Sequence, residues 1–185
     1  EHLLSLLHNP RVRQIDIIEP SDIQRTAAIL TTKGLSAALG DERVRLYRRE
    51  VRNFLTLFST RRAYDLIVDE RLAVWDALDR FRYTREYSKA IAKRLAPDGV
   101  YCRTVPLDGL SREALDTLLY TSGKSFPFTR VFNFYDLDLL LISRVTNITD
   151  DPSTIEGALK RFSAGQVGRV ATPYTVPRNV IAWLQ

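Results

Sequence analysis

Several residue types are scarce in this sequence of 185 residues, and each scarcity excludes a class of protein or site. There is one cysteine, Cys102, so an intrachain disulfide is excluded and a reducing compartment is favoured. The two histidines, His2 and His8, have no further ligands at metal-binding spacing, so we expect no metal site. Methionine is absent altogether, even at the first position, which indicates a piece of a longer chain.

Long apolar runs are also missing. The run Leu137–Ile142, interrupted by Asp138, is far shorter than the ~20 residues that a membrane helix needs. No signal peptide is recognisable at the N-terminus. We therefore expect no membrane contact by this segment itself and a cytoplasmic location, either free or tethered to a membrane through segments outside this chain. The composition, 45% hydrophobic and 26% charged, is that of an ordinary globular domain and excludes disorder.

The net charge of +5 raises the question of nucleic-acid binding. Basic residues cluster between positions 43 and 52 and again between 80 and 85, but acidic residues are interleaved with them, as at Glu50 and Glu86. Mixed signs of this kind are typical of a solvated surface. We therefore expect no nucleic-acid partner.

The periodicity of the apolar residues alternates between that of strands and that of helices. A β-branched run ends at Glu19-Pro20, and Ser21 and Asp22 can then cap a helix that ends near Gly34. Later helices are predicted from Thr84, with Tyr87, Ile91 and Leu95 on one face, and over Ser111–Ser122. The predicted strands are Gln14–Ile18, Arg43–Tyr47, Tyr64–Val68, Val100–Val105, Phe128–Phe134 and Leu137–Ser143, the last two forming a hairpin. This order predicts an α/β fold with a mostly parallel sheet and a C-terminal antiparallel hairpin.

Each of the first three predicted strands is followed by a carboxylate: Glu19, Glu50 and Asp69. Ligands of parallel α/β sheets bind outside the carboxyl ends of the strands. A carboxylate suits a ribose because both of its oxygens accept hydrogen bonds from hydroxyl groups. Glu19 is equally well explained as a surface residue near a helix N-terminus, where the helix dipole favours negative charge. The spacing alone leaves both readings open.

Four stretches give the chain a resemblance to the spermidine synthases, the aminopropyltransferase branch of the methyltransferase-like nucleoside-binding fold. In order along the chain they are Leu7–Ile23, Asp41–Leu55, Tyr64–Asp69 and Tyr83–Val100. The resemblance covers about three quarters of the chain. It implies a Rossmann-like, methyltransferase-type sheet over residues 1–144. The tail, residues 145–185, has a sequence pattern that predicts one short helix over Ser153–Phe162, packed on the domain.

The resemblance also implies a set of site residues. Glu19 would bind the ribose, Asp22 would stand near the nucleoside edge, and Glu50 would contact adenine. Asp69 would be the catalytic base, and Tyr83 matches a position in the substrate pocket. The implied reaction transfers an aminopropyl group from decarboxylated S-adenosylmethionine to an amine, with no permanently bound cofactor. The partners would be a small nucleoside and an amine, and the protein would be a homo-oligomer.

The chain departs from the family pattern in three places. The glycine-rich turn and central first strand of the family are absent, so residues before Glu1 or a partner chain should supply them. Family members follow the catalytic strand with Asp-Ser-Ser-Asp-Pro, whereas this chain has Asp69-Glu70-Arg71-Leu72-Ala73. Arg71 has the wrong sign for a site that attracts a polycation. Arg49-Glu50 replaces a Gly-Asp pair at the adenine-contacting position.

These departures keep two alternatives open. The first is a non-catalytic or regulatory domain that retains the fold but has lost the amine site, and such a domain could belong to a membrane-fused protein. The second is a methyltransferase that uses S-adenosylmethionine itself as co-substrate. Asp76 or Asp79 could replace the missing second acid if the loop after Asp69 folds back.

Overall fold

The structure, a computed structural model, describes residues 2–57, 63–69, 80–134 and 138–146. The chain divides into two compact units, with the boundary between Arg61 and Arg62. The six described strands form two sheets, one in each unit.

The first unit has a two-stranded parallel sheet surrounded by short helices. Strands β1 and β2 pair in register, with Ile15 opposite Val44 and Ile18 opposite Tyr47. Helix α1 was not predicted from the sequence, and neither was α3, which begins after Gly34 in the left-handed conformation that glycine tolerates (φ 84°). The elements in order are α1 (His2–Leu7), β1 (Ile15–Ile18), α2 (Asp22–Thr31), α3 (Leu35–Leu39), β2 (Val44–Tyr47) and α4 (Val51–Leu57).

The second unit is built on a four-stranded sheet of order β3-β4-β6-β5. The pair β3–β4 is parallel, and the pairs β4–β6 and β5–β6 are antiparallel. A short 3₁₀ helix, Arg80–Tyr83, precedes α5. The elements are β3 (Tyr64–Asp69), α5 (Arg85–Ala92), β4 (Leu95–Pro106), α6 (Arg112–Gly123), β5 (Phe128–Phe134) and β6 (Asp138–Arg144).

One face of this second sheet carries its core. Along β4 the residues Tyr101, Arg103 and Val105 are buried, whereas Cys102 and Thr104 between them are half-buried. This alternation is that of a strand with one covered face. A cluster of buried side chains joins β4, α6, β5 and β6: Val105, Leu118, Val131, Leu139 and Leu141.

The predicted α/β fold with a C-terminal antiparallel hairpin is confirmed. The helix starts at Ser21, Thr84 and Ser111 are also confirmed, because each side chain accepts a hydrogen bond from the backbone N–H three residues on. The prediction for Leu95 was wrong. It lies in β4 opposite Tyr64 instead of on the helix that starts at Thr84, because α5 ends at Ala92 and the chain turns directly into the strand.

Some predictions fall outside the described part of the chain. These are the tail helix in residues 145–185, most of the loop that follows Asp69, and the acids Asp76 and Asp79. The grouping of residues 1–144 into one nucleoside-binding domain with a missing central strand stays a prediction. No helix within the described ranges is both long and apolar enough to cross a membrane.

Candidate functional site

Glu19 lies directly after β1, and its side chain is turned back onto the chain. Its Oε1 accepts a hydrogen bond from the backbone N–H of Ser21 at 2.7 Å, and the side chain is half-buried. Its own backbone N–H donates to the carbonyl of Tyr47 at 3.0 Å, which extends the β1–β2 pairing by one residue. Among the described residues, no hydrogen bond occupies the second carboxylate oxygen, so this oxygen can accept a hydrogen bond from a hydroxyl group.

Asp22, the first residue of α2, is exposed on 66% of its side-chain surface. It forms ion pairs with Arg25, one turn along the helix, and with Arg48, whose Nε lies 3.9 Å from Oδ1. Arg48 follows β2, so this pair joins the carboxyl ends of the two strands. An exposed pair of this kind stabilises the unit by less than about 1 kcal/mol and can be exchanged for a ligand at little cost.

Glu50 stands just before α4 and is exposed. Its carbonyl accepts the N–H of Phe54 at 3.0 Å, so the backbone of Glu50 starts the helix. Because β1 and β2 are parallel, their carboxyl ends lie at the same edge of the sheet. The structure therefore brings the segments that carry Glu19, Asp22 and Glu50 to one edge of the first unit, and their roles as site residues stay a prediction.

Asp69 ends β3 in the second unit and is only 5% exposed. Both of its carboxylate oxygens accept hydrogen bonds from tyrosine hydroxyl groups. The hydroxyl of Tyr87, on α5, lies 2.9 Å from Oδ1 and 2.8 Å from Oδ2, and that of Tyr101, on β4, lies 2.6 Å from Oδ2. The carboxylate is thus held from two neighbouring elements.

Two guanidinium groups complete the surroundings of Asp69. Arg103, directly opposite Asp69 in the β3–β4 register, places Nη2 at 3.4 Å from Oδ2. Arg82, in the 3₁₀ helix, places Nη1 at 3.5 Å from Oδ1. Arg103 also donates to the carbonyl oxygen of Arg82, so the two arginines are connected. We call the group Asp69, Arg82, Tyr87, Tyr101 and Arg103 the Asp69 cluster.

Tyr83 contacts this cluster through Arg103. The guanidinium carbon of Arg103 lies 4.9 Å from the centre of the Tyr83 ring, and it lies 5.6 Å and 5.5 Å from the rings of Tyr87 and Tyr101. Contacts of a cation with aromatic faces offset part of the cost of burying it. Asp69 and Tyr83 were both predicted from the resemblance. Arg103, which was not predicted, contacts both of them.

The environment shifts the pKa values of the cluster. Burial raises the pKa of Tyr87 well above its ordinary value, and the charge of Asp69 raises it further. The pKa of Tyr101 is raised well above its ordinary value for the same two reasons. Burial by itself lowers the pKa of Arg103, but Tyr101 and Asp69 outweigh it and the pKa is raised. Both phenols therefore remain hydrogen-bond donors, and Arg103 remains a cation.

Four members of the cluster, Arg82, Tyr87, Tyr101 and Arg103, were not predicted as site residues from the sequence, and Tyr87 was predicted only as part of a helix face. Arg82 was grouped with the solvated basic residues near position 80, but it is mostly buried and paired with Asp69. Tyr101 and Arg103 belong to a strand that was predicted, and their spacing of two residues places both on the face that carries Val105. Arginine at a covered position was the available signal, because buried arginines are almost always paired.

The described part of the chain contains no group of three or more His, Cys, Asp or Glu residues that could hold a metal ion. Cys102, the half-buried thiol on the other face of β4, has a pKa raised by burial. A raised pKa disfavours the nucleophilic thiolate, so Cys102 is a poor candidate for covalent catalysis.

Comparison with known proteins gives one sequence relative and several of similar fold. No family model matches the chain. The chain is 27% identical over 130 residues to a polyamine aminopropyltransferase from Streptococcus uberis, an alignment that covers 66% of this chain and 43% of that protein. The chain therefore spans less than half the length of this relative.

Solved structures with a similar fold cover nearly the whole chain. A spermidine synthase in complex with the transition-state analogue AdoDATO has a TM-score of 0.73 at 16% identity, and the spermidine synthase of Thermotoga maritima has 0.69 at 17%. Each match covers 98% of this chain and 64% of the other. Human methyltransferase-like protein 13 in complex with SAH has a TM-score of 0.65 at 16% identity, and this match covers 90% of this chain and 78% of the other. The predicted Rossmann-like fold and the resemblance read from the motifs are confirmed.

Proposed function

We propose that this chain, a divergent member of the spermidine-synthase-like proteins, takes part in aminopropyl transfer from decarboxylated S-adenosylmethionine to an amine acceptor. The observation that carries the proposal is the sequence similarity to a polyamine aminopropyltransferase over 130 residues, a stretch long enough to hold several of the predicted site residues. The placement of Glu19 and Asp69 directly at the carboxyl ends of β1 and β3 supports it.

The proposed roles follow from the chemistry of each group. Glu19 accepts hydrogen bonds from the ribose hydroxyl groups, Asp22 lies near the nucleoside edge, and Glu50 accepts from the exocyclic amine of adenine. In the reaction, the acceptor nitrogen attacks the carbon bound to the sulfonium. The C–S bond breaks, its electron pair stays on sulfur as neutral methylthioadenosine, and the nitrogen loses a proton to Asp69. Tyr83 lines the acceptor side.

A second function, a nucleoside-binding domain without turnover, is favoured by one specific observation. Both oxygens of Asp69 already accept hydrogen bonds from tyrosines and lie near arginines. A general base must be within hydrogen-bond reach of the proton that it removes. An Asp69 that stays in this arrangement would support the fold and would not act as a base.

Binding measurements separate these functions from unrelated ones. The full-length protein is titrated by calorimetry with methylthioadenosine, S-adenosylmethionine and its decarboxylated form. We expect binding of the first and third, weakened at least about tenfold by Glu19→Ala because two hydrogen bonds to a charged acceptor are lost. The exposed Glu42→Ala, in the same unit, is the matched control. Absence of binding to all three nucleosides would refute both functions. Transfer of a methyl group from S-adenosylmethionine would instead identify the chain as a methyltransferase.

Turnover measurements then separate the two proposed functions from each other. Decarboxylated S-adenosylmethionine is incubated with a panel of primary mono- and diamines, and release of methylthioadenosine is measured. Aminopropyl transfer predicts release that falls about 10²- to 10⁴-fold in Asp69→Asn, the usual contribution of a general base. Nucleoside binding without any release selects the non-catalytic domain. The predicted homo-oligomer is tested on the same preparation by light scattering.

A further inference from the structure

The four-stranded sheet of the second unit has one covered face and one exposed face. Helices α5 and α6 both lie on the covered face, because Tyr87 of α5 bonds to Asp69 and Leu118 of α6 packs with Val105. The side chains that alternate with these buried positions point to the opposite side of the sheet. We call this opposite side the open face. Its apolar side chains include Leu66, Val68, Phe128, Phe132, Leu140 and Ile142.

The open face is accessible although it is apolar. On the edge strand β3, Leu66 is 42% exposed and Val68 is 41% exposed. On the edge strand β5, Phe128 is 37% exposed and Phe132 is 38% exposed, and both apolar residues of β6 between these edges are half-buried. Arg130 lies between the two phenylalanines on β5, and its aliphatic stem can extend the apolar surface. Large apolar side chains grouped in this way mark a surface that another element covers.

The chain leaves the sheet on a strand that lines the open face. Strand β6 ends at Arg144, which lies opposite Phe128 of the open face. Two residues later the hydroxyl group of Thr146 donates to the carbonyl of Pro97 at 3.0 Å, which holds the chain beside β4. The 39 residues that follow, 147–185, lie outside the described ranges. Because they are attached at the end of β6, their effective concentration at the open face is high.

The helix predicted over Ser153–Phe162 has one apolar face and one charged face. Ser153 and Glu156 have the capping-box spacing that is typical of a helix N-terminus. Apolar residues recur at intervals of three and four, so they lie on one face, and Lys160 lies on the opposite face. The apolar face consists of Ile155, Ala158, Leu159 and Phe162. Most of the stability of such a helix comes from packing this face against a partner surface.

The dimensions of the helix match those of the open face. A helix of ten residues is about 15 Å long. Four strands with a spacing of about 4.8 Å make the sheet about 14 Å wide. The six residues 147–152 that join β6 to the helix reach up to about 20 Å when extended. They include Asp151-Pro152, a pair that favours a turn, so the chain can reverse and return over the sheet.

We propose that the helix over Ser153–Phe162 packs with its apolar face on the open face and forms the second covering layer of the sheet in the second unit. The occupant of the open face is therefore a segment of the same chain. The Asp69 cluster lies on the covered face, so this proposal is independent of the proposed aminopropyl transfer. It assigns a surface to a helix that the sequence predicts without saying where it packs.

The accessibility of Cys102 tests the proposal, because this half-buried thiol lies on the open face between Val68 and Ile142. The full-length protein is reacted with N-ethylmaleimide, and the modified peptide that contains Cys102 is quantified by mass spectrometry over time. Leu159→Gln should raise the rate of modification at least about fivefold, because loss of a buried leucine shifts the helix towards its undocked state. Lys160→Gln is the matched control. It changes the next residue, on the charged face, and should leave the rate unchanged.

Cross-linking identifies which chain supplies the helix. Ala158→Cys places a second thiol on the apolar face of the helix, and Lys160→Cys places it on the charged face. Each variant is treated with a short bismaleimide, and the linked peptides are identified by mass spectrometry. We expect Ala158→Cys to give a link between position 158 and Cys102 within one chain. Lys160→Cys should give much less of the corresponding link, because its thiol points away from the sheet.

The outcomes decide between this helix and other occupants of the open face. A rate of Cys102 modification that Leu159→Gln leaves unchanged would overturn the proposal. A link that joins two copies of the protein would overturn it in favour of a second copy as the occupant. Equal yields of link in the two cysteine variants would also overturn it, because no particular face of the helix would then contact the sheet. Ala158→Cys retains Leu159, so cross-linking tests the same contact even if Leu159→Gln fails to fold.

Discussion

Asp69 shows how a position at the end of a strand sets the surroundings of a side chain. The last residue of β3 lies opposite Arg103 on β4, and Tyr101 precedes Arg103 by two residues on the same face. The three groups are therefore close together before any loop is considered. A buried carboxylate must be paired, because an unpaired charge in the interior costs several kcal/mol.

Replacement of Asp69 by Asn tests this residue as a structural element. Asn has the same size but no charge, so the ion pairs of Asp69 with Arg82 and with the buried Arg103 are lost. We expect Asp69→Asn to lower the free energy of unfolding by about 3–5 kcal/mol, as is typical when one partner of a buried pair is removed. Urea denaturation followed by circular dichroism measures it. The exposed Asp65→Asn on the same strand should change stability by less than about 0.5 kcal/mol, and similar losses for both variants would contradict the prediction.

At the residue scale the sequence predicted the acids better than their partners. Glu19 follows β1 and Asp69 is the last residue of β3, and a strand end can be located from local periodicity. Tyr101 and Arg103 contact Asp69 only because β4 pairs with β3, a contact between residues more than 30 positions apart. A local sequence pattern does not determine which residues of two paired strands lie opposite each other. The number of hydrogen-bond donors on Asp69 could therefore not be predicted. Neither could the burial of Arg82, which resembles its exposed neighbours in sequence.

Strand β4 contains a close backbone contact at Gly99. Its pairing with β3 shifts between Tyr64, opposite Leu95, and Leu66, opposite Val100, so extra residues are accommodated on the β4 side. Gly99 lies in this irregular stretch. A Cβ atom on Gly99 would lie 2.7 Å from the carbonyl oxygen of Tyr64 and 3.0 Å from the backbone of Ala96. Backbone atoms of a paired strand cannot move away easily.

Gly99→Ala should therefore destabilise the second unit by about 1–3 kcal/mol, the range for overpacked sites. Gly123→Ala is the matched control. A Cβ at Gly123, the last residue of α6, meets nothing within 4 Å, and alanine favours helix by up to about 1 kcal/mol. Thermal denaturation measures both variants. The melting temperature of Gly99→Ala should lie below that of the parent protein, and that of Gly123→Ala should equal or exceed it. A Gly99→Ala variant as stable as the parent would show that the strand can relax.

Helix α6 depends on its cap. The Oγ of Ser111 accepts a hydrogen bond from the backbone N–H of Ala114 at 3.1 Å, and Glu113 lies in the first turn. Ser111→Ala should lower the free energy of unfolding by about 1 kcal/mol, and Ser111→Asp should restore most of it because Asp is an equally good cap. Urea denaturation measures both variants. A loss that Asp does not restore would mean that Ser111 acts through packing.

At the element scale, helices and strands were predicted correctly where the sequence contains a local signal for them. Three caps and the hairpin have such signals in serine, threonine and alternating apolar residues. The start of β4 was predicted wrongly, because the strand begins at Leu95 and not at Val100. The helix from Thr84 was predicted too long, because Leu95 continues the helical spacing of Tyr87 and Ile91. The pairing of Leu95 with Tyr64 is a tertiary interaction that overrides this spacing. Helices α1 and α3 have only six and five residues, too short for a periodic signal.

The stability of the whole molecule should decline in alkaline solution. The pKa values of Tyr87 and Tyr101 are raised in the folded state, first by burial and then by Asp69, above the ordinary value of 10.0. Above about pH 10 the unfolded chain releases both phenolic protons while the folded chain retains them. The stability is therefore fully present below pH 10 and falls as the pH rises, by about 1.4 kcal/mol per pH unit for each tyrosine.

Urea denaturation at pH 8, 9, 10 and 11 measures this decline. Tyr101→Phe should remove about half of the slope above pH 10, since one of the two phenols is gone, although it also lowers stability at pH 8. Tyr120→Phe is the control, because Tyr120 is exposed. An unchanged slope in Tyr101→Phe would contradict the prediction.

The cross-strand position of Asp69 and Arg103 also limits how this protein can evolve. Loss of Asp69 leaves the buried guanidinium of Arg103 without its cross-strand counter-charge, a change that selection on stability removes. Loss of Arg103 is less costly, because Asp69 keeps its ion pair with Arg82. We therefore expect Arg103 to be replaced before Asp69 in descendants of this protein, an order that follows from the number of ionic partners each residue has among the described residues.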